Sequence, residues 1–502
     1  MHKYNKGITK QHRKYSNLIR RLSFIVFLLV CDSVFASHYQ YTVEFDDSLM
    51  RADIRICFDG EQDDYLEIDR FVAYKTLLEA PTVNGSDVKI EGRFWNVEAL
   101  GKGACLEYDV SFKENHLKRS EGRRGLSNLD KNKIILHLEE NNWLWLPEKY
   151  NSSDTIDIEL ILSNKYQVST PWQQIDITKH HYRLGHEPQD WGYHIVIGDI
   201  DVNQIEIGQN RRISIATINA SSTTKSSTQA INQWLENIAN SIKNYLGQYP
   251  LKQMQVLVYP QPGAKRSPVP WGEISRGNGL SILFVIRPDH EISDFYEDWT
   301  ASHEFAHSLL PKLRYRDIWL SEGLASYLQY VLMAQNNQLT KEQAWKRIYK
   351  GLLKGLKGTQ SVSPEKLLDV SDNRKRGSRS GRTMRIYWSG AAYFLKADIR
   401  LRKQSKGKVG LNDVLLKLSN CCLKGSKVWS GGALASKLDV LSNTSIFSIM
   451  YKNIAYSPEF PNFNKEFESL GFEISENSIK LGNYKETSLS NSIMTVQNQS
   501  SN

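Results

Sequence analysis

The sequence predicts a multidomain protein in which an all-β, sandwich-like domain precedes an α+β domain with a mostly α-helical C-terminal part. Three observations support this fold class. The chain has 502 residues, more than a single hydrophobic core usually organises. Its composition, 40% hydrophobic and 24% charged, is typical of folded globular proteins. Apolar residues alternate with period two up to about residue 164, whereas helical periodicity dominates after about residue 299.

The first domain is predicted over residues 37–165. Alternating apolar side chains indicate strands at residues 41–45, 106–112 and 156–162. The dipeptides Asn84-Gly85 and Asp59-Gly60 are typical of the turns between strands. Because little of this region has helical spacing, we expect a β-sandwich-like domain.

The α+β domain is predicted over residues 166–330, and its helical part over residues 331–478. Strand-like runs at 193–197, 213–217, 254–259 and 281–286 are interrupted by an amphipathic helical stretch at 229–246. Further helices are predicted at 344–356, 387–403 and 412–418, and Thr340 and Gln343 have capping-box spacing before the first of them. Residues 479–502 are rich in Ser and Asn, so we expect a disordered tail.

Residues 1–36 are typical of a signal peptide. An apolar run at 22–30 follows Arg20-Arg21 and precedes Val34-Phe35-Ala36, after which cleavage would leave Ser37 first. The alternative is a membrane anchor, but this run is far shorter than the ~20 residues needed to cross a bilayer. We therefore expect export to the periplasm or the exterior, with no stable membrane span after cleavage.

The charge distribution argues against a nucleic-acid-binding function. The formal net charge is +9, but residues 1–36 hold seven lysines and arginines against one aspartate, which leaves +3 for the rest of the chain. The basic pI of 9.0 therefore describes the leader more than the mature protein.

Four cysteines follow the leader. In an oxidising compartment Cys57 and Cys105 could join two strands of the first domain, whereas the adjacent Cys421 and Cys422 are harder to interpret. Neither pair has the spacing of a zinc knuckle, so any metal site must use other residues.

An HExxH motif lies at residues 303–307, in a segment that should be helical up to Pro311. A helix places His303 and His307 on one face, with Cβ atoms ~5–6 Å apart, so both imidazoles can bind one ion. Glu304 lies next along the helix, where it can accept a proton from bound water. The motif thus predicts one Zn²⁺ ion with Glu304 as general base.

Glu322 is the candidate for a third ligand. A catalytic zinc site needs three protein ligands and one position for water. Ser321 is a candidate N-cap that would put Glu322 in the first turn of the next helix, and the fourteen intervening residues allow the chain to return. The alternative is a solvated carboxylate favoured at a helix start by the macrodipole.

The HExxH motif followed by Trp-Leu-x-Glu-Gly-x-Ala at 319–325 resembles the gluzincin metallopeptidases, particularly the aminopeptidase N and glycyl aminopeptidase families. The resemblance implies a thermolysin-like catalytic domain over about residues 174–472, a single catalytic zinc and a peptide or protein substrate. Tyr387-Trp388-Ser389-Gly390 resembles the Tyr-x-x-Gly element that opens a helix in these families, which implies that Tyr387 stabilises the oxyanion. An aromatic residue packed in the core is the alternative.

Two departures from the family pattern leave the type of peptidase open. The fourteen-residue spacer between the second histidine and Glu322 is shorter than the eighteen residues of aminopeptidase N relatives. Those relatives also carry a Gly-rich strand with a glutamate that binds the substrate amine. The corresponding segment here is Gly277-Asn278-Gly279-Leu280, a candidate substrate-binding strand without an acid. Glu273, a few residues upstream, is not assigned this role.

A basic stretch at residues 374–385 precedes Tyr387. Such runs are usually solvated loops, but a loop bordering the cleft would make Arg382 a candidate for binding acidic substrate groups. Four histidines between 180 and 194 have irregular spacing and no accompanying ligand pattern, so we do not assign them to a metal.

The sequence therefore predicts an exported zinc-dependent peptidase, either an aminopeptidase or an endopeptidase, that uses a metal-activated water. The alternative is a catalytically inactive binding or scaffold protein of the cell envelope built on a peptidase fold. The absence of an acid at Leu280 keeps this alternative open.

Overall fold

The computed structural model describes residues 37–496 with internal gaps, and the predicted signal peptide lies outside the described residues. The gaps are at residues 60–62, 69–70, 99, 102, 113–132, 140–141, 150–152, 177, 186–193, 219–225, 262–266, 374–378, 424–426 and 475–480.

The first region is all-β, as predicted, and its strands form three sheets in the described part of the chain. The largest sheet contains β1 His38–Phe45, β2 Arg51–Asp59, β4 Thr82–Val83, β5 Ser86–Asp87, β8 Cys105–Ser111, β11 Thr155–Ile161, β13 Gln173–Asp176 and β14 His181–Arg183. Its strand order is β13-β14-β11-β1-β2-β8-β4-β5. A second sheet contains β3 Tyr65–Glu67, β6 Lys89–Glu91, β7 Phe94–Asn96 and β10 Leu146–Pro147. The third sheet contains β9 Ile135–Glu139, β12 Gln167–Ser169 and β15 His194–Gly198.

The alternating pattern in the sequence corresponds to the buried faces of these strands. In β2 every second side chain is buried, from Ala52 to Phe58. The indole rings of Trp95 and Trp145 stack in the same core at 4.1 Å between centroids. Opposite residues Cys57 and Cys105, on neighbouring β2 and β8, form a disulfide, which confirms the predicted link.

The first region extends beyond the predicted boundary at residue 165. Strands β12, β14 and β15 follow that boundary in sequence, yet they pair with β15, β11 and β9 respectively inside the first region. The boundary is therefore closer to Gly198. The reason is that these short strands complete sheets through long-range pairing, which local periodicity does not indicate.

The second region begins with a mixed five-stranded sheet in the described residues. It contains β16 Asp201–Gly208, β17 Arg211–Thr217, β18 Gln253–Pro260, β19 Trp271–Arg276 and β20 Leu280–Ile286. The order is β16-β17-β18-β20-β19, in which β17, β18 and β20 run parallel and β19 is an antiparallel edge strand. Helix α1, Thr228–Leu246, makes the crossover from β17 to β18 and begins at an N-cap formed by Ser227.

The rest of the described chain is mainly helical, as predicted. Its helices are α2 Ile292–Glu297, α3 Thr300–Ala306, α4 Ile318–Gln335, α5 Lys341–Gln360, α6 Leu367–Asp372, α7 Arg379–Gln404, α8 Leu411–Cys422, α9 Gly431–Ser442, α10 Ile446–Ala455 and α11 Asn464–Ser469. Thr340 and Gln343 form the expected capping box at the start of α5. Within the described segments, no helix is both long enough and apolar enough to cross a bilayer.

The C-terminal segment was predicted to be disordered from residue 479, but its described residues 481–496 contain a strand and a helix. Strand β21 Phe472–Ile474 pairs with β22 Leu481–Tyr484, and helix α12 spans Ser488–Met494. Ile493 and Met494 are buried, and the Gln335 side chain donates a hydrogen bond to the Ile493 carbonyl. The prediction was wrong because a short helix with few apolar residues is stabilised by packing on α4 rather than by its own periodicity.

Candidate metal centre

The two histidines of the HExxH motif occupy one side of α3 and the 3₁₀ turn His307–Leu309 that continues it. Their rings are 4.9 Å apart between centroids, and both side chains are buried. The sequence prediction of a helix ending before Pro311 is therefore confirmed.

Glu322 reaches both histidines from the neighbouring helix α4. Its Oε2 atom lies 3.4 Å from Nε2 of His303 and 3.8 Å from Nε2 of His307. One ligand atom from each of the three residues fits within a 4.8 Å group, and among the described residues this is the one such cluster of histidine, cysteine and carboxylate groups. Two Nε2 atoms and a carboxylate oxygen that converge on one point form a donor set suited to a zinc ion.

The outer nitrogens of both imidazoles are held by hydrogen bonds from α4. Nδ1 of His303 lies 2.8 Å from the side-chain oxygen of Gln329, and Nδ1 of His307 lies 2.9 Å from the Ser321 hydroxyl. Because an amide oxygen only accepts, Nδ1 of His303 carries a proton, which leaves Nε2 as the ring atom that would bind a metal. Both rings are thus oriented as metal-binding histidines require.

Ser321 differs from its predicted role. Helix α4 begins at Ile318, with Asp317 in the N-cap position, so Ser321 and Glu322 both lie inside the helix. Ser321 does not cap the helix but supports His307. The fourteen residues between His307 and Glu322 include the 3₁₀ turn Tyr315–Asp317, which brings the chain back within a short distance.

Glu304 lies in the same helix turn as the histidines and is itself 9% exposed. Burial raises its pKa to about 7, from a usual value near 4.5; His303 opposes this shift, and the charges of Glu322 and Glu273 add to it. Burial lowers the pKa of His307 to about 3, against the attraction of Glu322. At neutral pH His307 is therefore neutral, as a metal ligand must be, and Glu304 is poised between its two protonation states.

Tyr387 is brought to the site from α7. Its ring stacks on the His303 ring at 5.8 Å between centroids with an interplanar angle of 8°. The helix does not open at Tyr387 as expected, because α7 already begins at Arg379 and Tyr387 lies in its third turn. The residue is nevertheless adjacent to the proposed ligands.

Two glycines explain how α4 and α7 come so close together. A Cβ atom on Gly390 would lie 1.9 Å from the Trp319 carbonyl oxygen and 2.7 Å from the Gly323 Cα. A Cβ on Gly323 would meet the Gly390 backbone at 2.2 Å. The glycines of the Glu-Gly and Tyr-x-x-Gly elements therefore face each other, and their contact places Glu322 and Tyr387 on the same side of the crossing.

The edge strand β19 lies against the metal-binding helix. A Cβ on Gly272 would come within 2.6 Å of the Glu304 Cγ, and Arg276 donates a hydrogen bond of 2.7 Å to the His307 carbonyl. Glu273 is next to Gly272 and is close enough to raise the pKa of Glu304. No role was predicted for Gly272, Glu273 or Arg276 from the sequence. The sequence feature that could have indicated them is Gly272-Glu273, a glycine and a glutamate followed by an apolar residue.

The predicted substrate-binding segment Gly277-Asn278-Gly279-Leu280 is placed differently from the expectation. Residues 277–279 form the turn between β19 and β20, and the Asn278 carbonyl accepts a hydrogen bond from the Gly185 amide. A Cβ on Gly279 would lie 2.2 Å from the Pro171 carbonyl oxygen. The turn therefore packs on the first region, and β19 is the strand beside the metal-binding helix.

Arg382 is also not in the expected loop. It lies in α7, and its guanidinium forms an ion pair with Glu365 at 2.7 Å. Arg385, one turn further on, is buried and donates to the carbonyls of Glu365, Ser457 and Pro458. These two residues tie α7 to neighbouring segments. Residues 374–378 of the predicted basic loop lie outside the described residues.

An HExxH helix whose third ligand is a glutamate on the next helix defines a gluzincin-type metal site. The sequence matches no protein-family model and has no significant match among curated proteins. Similarity is found between folds. An aminopeptidase N family protein from Idiomarina loihiensis has a TM-score of 0.62 at 13% identity, covering 86% of this chain and 78% of its own.

Two other solved structures have a related fold. A variant of a two-domain M1 zinc metallopeptidase, solved with L-arginine, has a TM-score of 0.51 at 12% identity and covers 85% of this chain and 94% of its own. Native yeast LTA4 hydrolase has a TM-score of 0.50 at 14% identity, and the match covers 86% of this chain and 69% of the hydrolase. The chain therefore has the fold of the M1 zinc metallopeptidases, and the resemblance seen in its motifs is confirmed at the level of fold.

Proposed function

We propose that the protein is a zinc-dependent peptidase of the aminopeptidase type. The observation that carries the proposal is the convergence of His303, His307 and Glu322, with Glu304 beside them and Tyr387 stacked on His303. The M1 fold supports the same function.

The residues of the site suit hydrolysis of an amide bond. A zinc ion held by the three ligands would supply Lewis acidity toward a water and the scissile carbonyl. Glu304, with a pKa raised by burial to about 7, takes the proton from the attacking water and delivers it to the leaving amine. Tyr387 donates its phenolic hydrogen to the carbonyl oxygen as negative charge develops there.

A pair of carboxylates supports binding of a free amino terminus. Glu273 on β19 and Glu139 on β9 both act on His194, opposing the lowering of its pKa by burial, so both lie close to that ring. Glu273 also acts on Glu304, so it is near both the His194 ring and the metal centre. Two carboxylates near the metal centre favour binding of an ammonium group, which supports an aminopeptidase over an endopeptidase.

The proposal is tested by metal analysis and by hydrolysis of a peptide panel, each peptide with a free and with an acetylated amino terminus. We expect about one zinc per chain and cleavage of the free peptides. Glu304→Gln should bind zinc without turnover, whereas the matched control Glu468→Gln, at an exposed position of α11, should retain full activity. Bound zinc with no turnover on any peptide would refute the peptidase and favour a binding or scaffold protein.

We further propose that the protein is exported, since its leader has the features of a signal peptide. The Cys57–Cys105 disulfide supports an oxidising compartment. Fractionation of cells that express the full chain should recover a species beginning at Ser37 outside the cytoplasm. A protein retained in the cytoplasm with an intact leader would contradict this.

A further inference from the structure

A chain of two hydrogen bonds runs from the second region to the first. The Tyr259 hydroxyl lies 2.8 Å from Nδ1 of His137, and Nε2 of His137 lies 2.7 Å from Nδ1 of His194. Tyr259 and His137 are buried. Neither histidine takes part in the hydrolysis described above.

Strand register places this chain next to the two carboxylates. Tyr259 shares a sheet face with Leu283 and Val285, and Glu273 lies directly opposite Leu283 in the neighbouring strand. On the facing sheet, His194 pairs with Glu139, and His137 pairs with Val196, which packs against Leu283 and Val285. Side chains at alternate positions of a strand share a face, so Glu139, His137 and His194 point toward the face that carries Glu273.

The Tyr259 hydroxyl sets the direction of the whole chain. Among the described residues the hydrogen-bond partner of this hydroxyl is Nδ1 of His137. The hydroxyl hydrogen therefore has an acceptor only if Tyr259 donates it to that nitrogen. His137 must then carry its proton on Nε2 and donate to Nδ1 of His194. His194 in turn keeps its own proton on Nε2, which makes it a neutral donor at the end of the chain. Burial lowers the pKa of both imidazoles, in agreement with neutral rings.

We propose that the Tyr259–His137–His194 chain is a positioning element for the substrate amine, because it holds His194 neutral beside Glu139 and Glu273. This inference rests on the proposed aminopeptidase function. A charged imidazolium would form ion pairs with these carboxylates and compete with the substrate ammonium group. A neutral N–H donor orients a carboxylate without cancelling its charge. Among the described residues, the charged or titratable groups that face His194 are His137 and Glu139 on β9 and Glu273 on β19.

Tyr259→Phe tests this role. Without the hydroxyl, His137 can accept at Nε2, so His194 can carry two protons and become charged at mildly acidic pH. For peptides with a free amine we expect KM at pH 6.5 to rise about tenfold, the size of a lost interaction with a charged group, with kcat unchanged and recovery at pH 8.5. Acetylated peptides should show no change. The matched control is Tyr249→Phe, another buried tyrosine, whose hydroxyl contacts the sulfur of Met254.

Two further measurements keep the inference falsifiable. The double variant carries both Tyr259→Phe and His194→Gln. Glutamine at position 194 supplies a hydrogen-bond donor that cannot become charged, so the increase in KM should no longer depend on pH. In wild-type enzyme, ¹⁵N NMR of labelled histidine should show His194 neutral with its proton on Nε2 at pH 6.5; this test needs no variant. A charged His194 there, or equal effects of Tyr259→Phe on free and acetylated peptides, would overturn the inference and leave the peptidase intact. A wild-type protein that cleaves no peptide would instead refute the proposed function.

Discussion

Replacing Glu304 with glutamine should abolish turnover and at the same time stabilise the metal-free protein at high pH. Glu304 is buried, and its pKa is raised from near 4.5 to about 7 chiefly by that burial. Above pH 7 the folded protein must hold a carboxylate in an environment that disfavours its charge, whereas the unfolded chain does not. The site is thus built at the expense of stability.

The magnitude follows from the shift in pKa. A raised folded-state pKa means that the native state binds the proton more tightly between about pH 4.5 and 7, so stability falls as pH rises through this window. The shift of roughly 2.5 pKa units corresponds to about 3 kcal/mol. Glutamine has the same shape without the charge, so the advantage of Glu304→Gln should be below about 1 kcal/mol at pH 5 and reach about 3 kcal/mol at pH 8.5.

The assay is urea unfolding of the wild type and of Glu304→Gln after chelation of metal, at pH 5, 7 and 8.5. Comparing the two proteins at each pH cancels the contributions of other titrating groups. Glu468→Gln, at an exposed position, is the control and should show no pH-dependent difference. Added zinc should reduce the gap, because a cation stabilises the nearby carboxylate. A difference in free energy of unfolding that stays constant from pH 5 to 8.5 would refute this reasoning.

Three further predictions concern the supports of the site. Gln329→Leu removes the acceptor of the His303 Nδ1 proton and should weaken zinc binding by about 10–100-fold in a chelator competition assay; unchanged affinity would contradict the orienting role. Gly390→Ala places a Cβ within 1.9 Å of the Trp319 carbonyl oxygen and should lower the free energy of unfolding by at least about 1–3 kcal/mol. The control is Gly432→Ala, whose Cβ would lie 3.7 Å from the Tyr451 ring and should cause no steric destabilisation. Removing residues 487–502 should lower Tm, because burial of Ile493 and Met494 contributes roughly 1.5–3 kcal/mol each to the free energy of unfolding. An unchanged Tm would support the original prediction that this tail is disordered.

The ligand set could be predicted from the sequence because its geometry is local or nearly so. His303 and His307 are one helical turn apart, and that spacing alone places them on one face. Glu322 needed only a short return of the chain. The domain classes were also predictable, since burial of one strand face leaves a period of two in the sequence.

The supports of the site depend on contacts between distant segments. Gln329 lies 26 residues from His303, and nothing in its own neighbourhood indicates that it accepts from an imidazole. Gly390 is required because α7 crosses α4 at Gly323, and this close approach appears only when both helices are placed. The C-terminal helix α12 also depends on a distant contact, because its few apolar residues stabilise it only when they are buried against α4.

Strand β19 best illustrates the difference between what the sequence predicts and what only the tertiary structure decides. By itself the sequence determined that His303, His307 and Glu322 come together and that a β region precedes a helical one, because these follow from the spacing and periodicity of neighbouring elements. It predicted a substrate strand at Gly277-Asn278-Gly279-Leu280, whereas residues 277–279 form a turn, because a glycine pattern alone does not identify the neighbours of a segment. The tertiary structure decided that β19 lies against the metal-binding helix, at Gly272, and that Glu273 and Glu139 lie in two different sheets. Register and the packing of two sheets set those positions, and both depend on pairings between segments far apart in the chain.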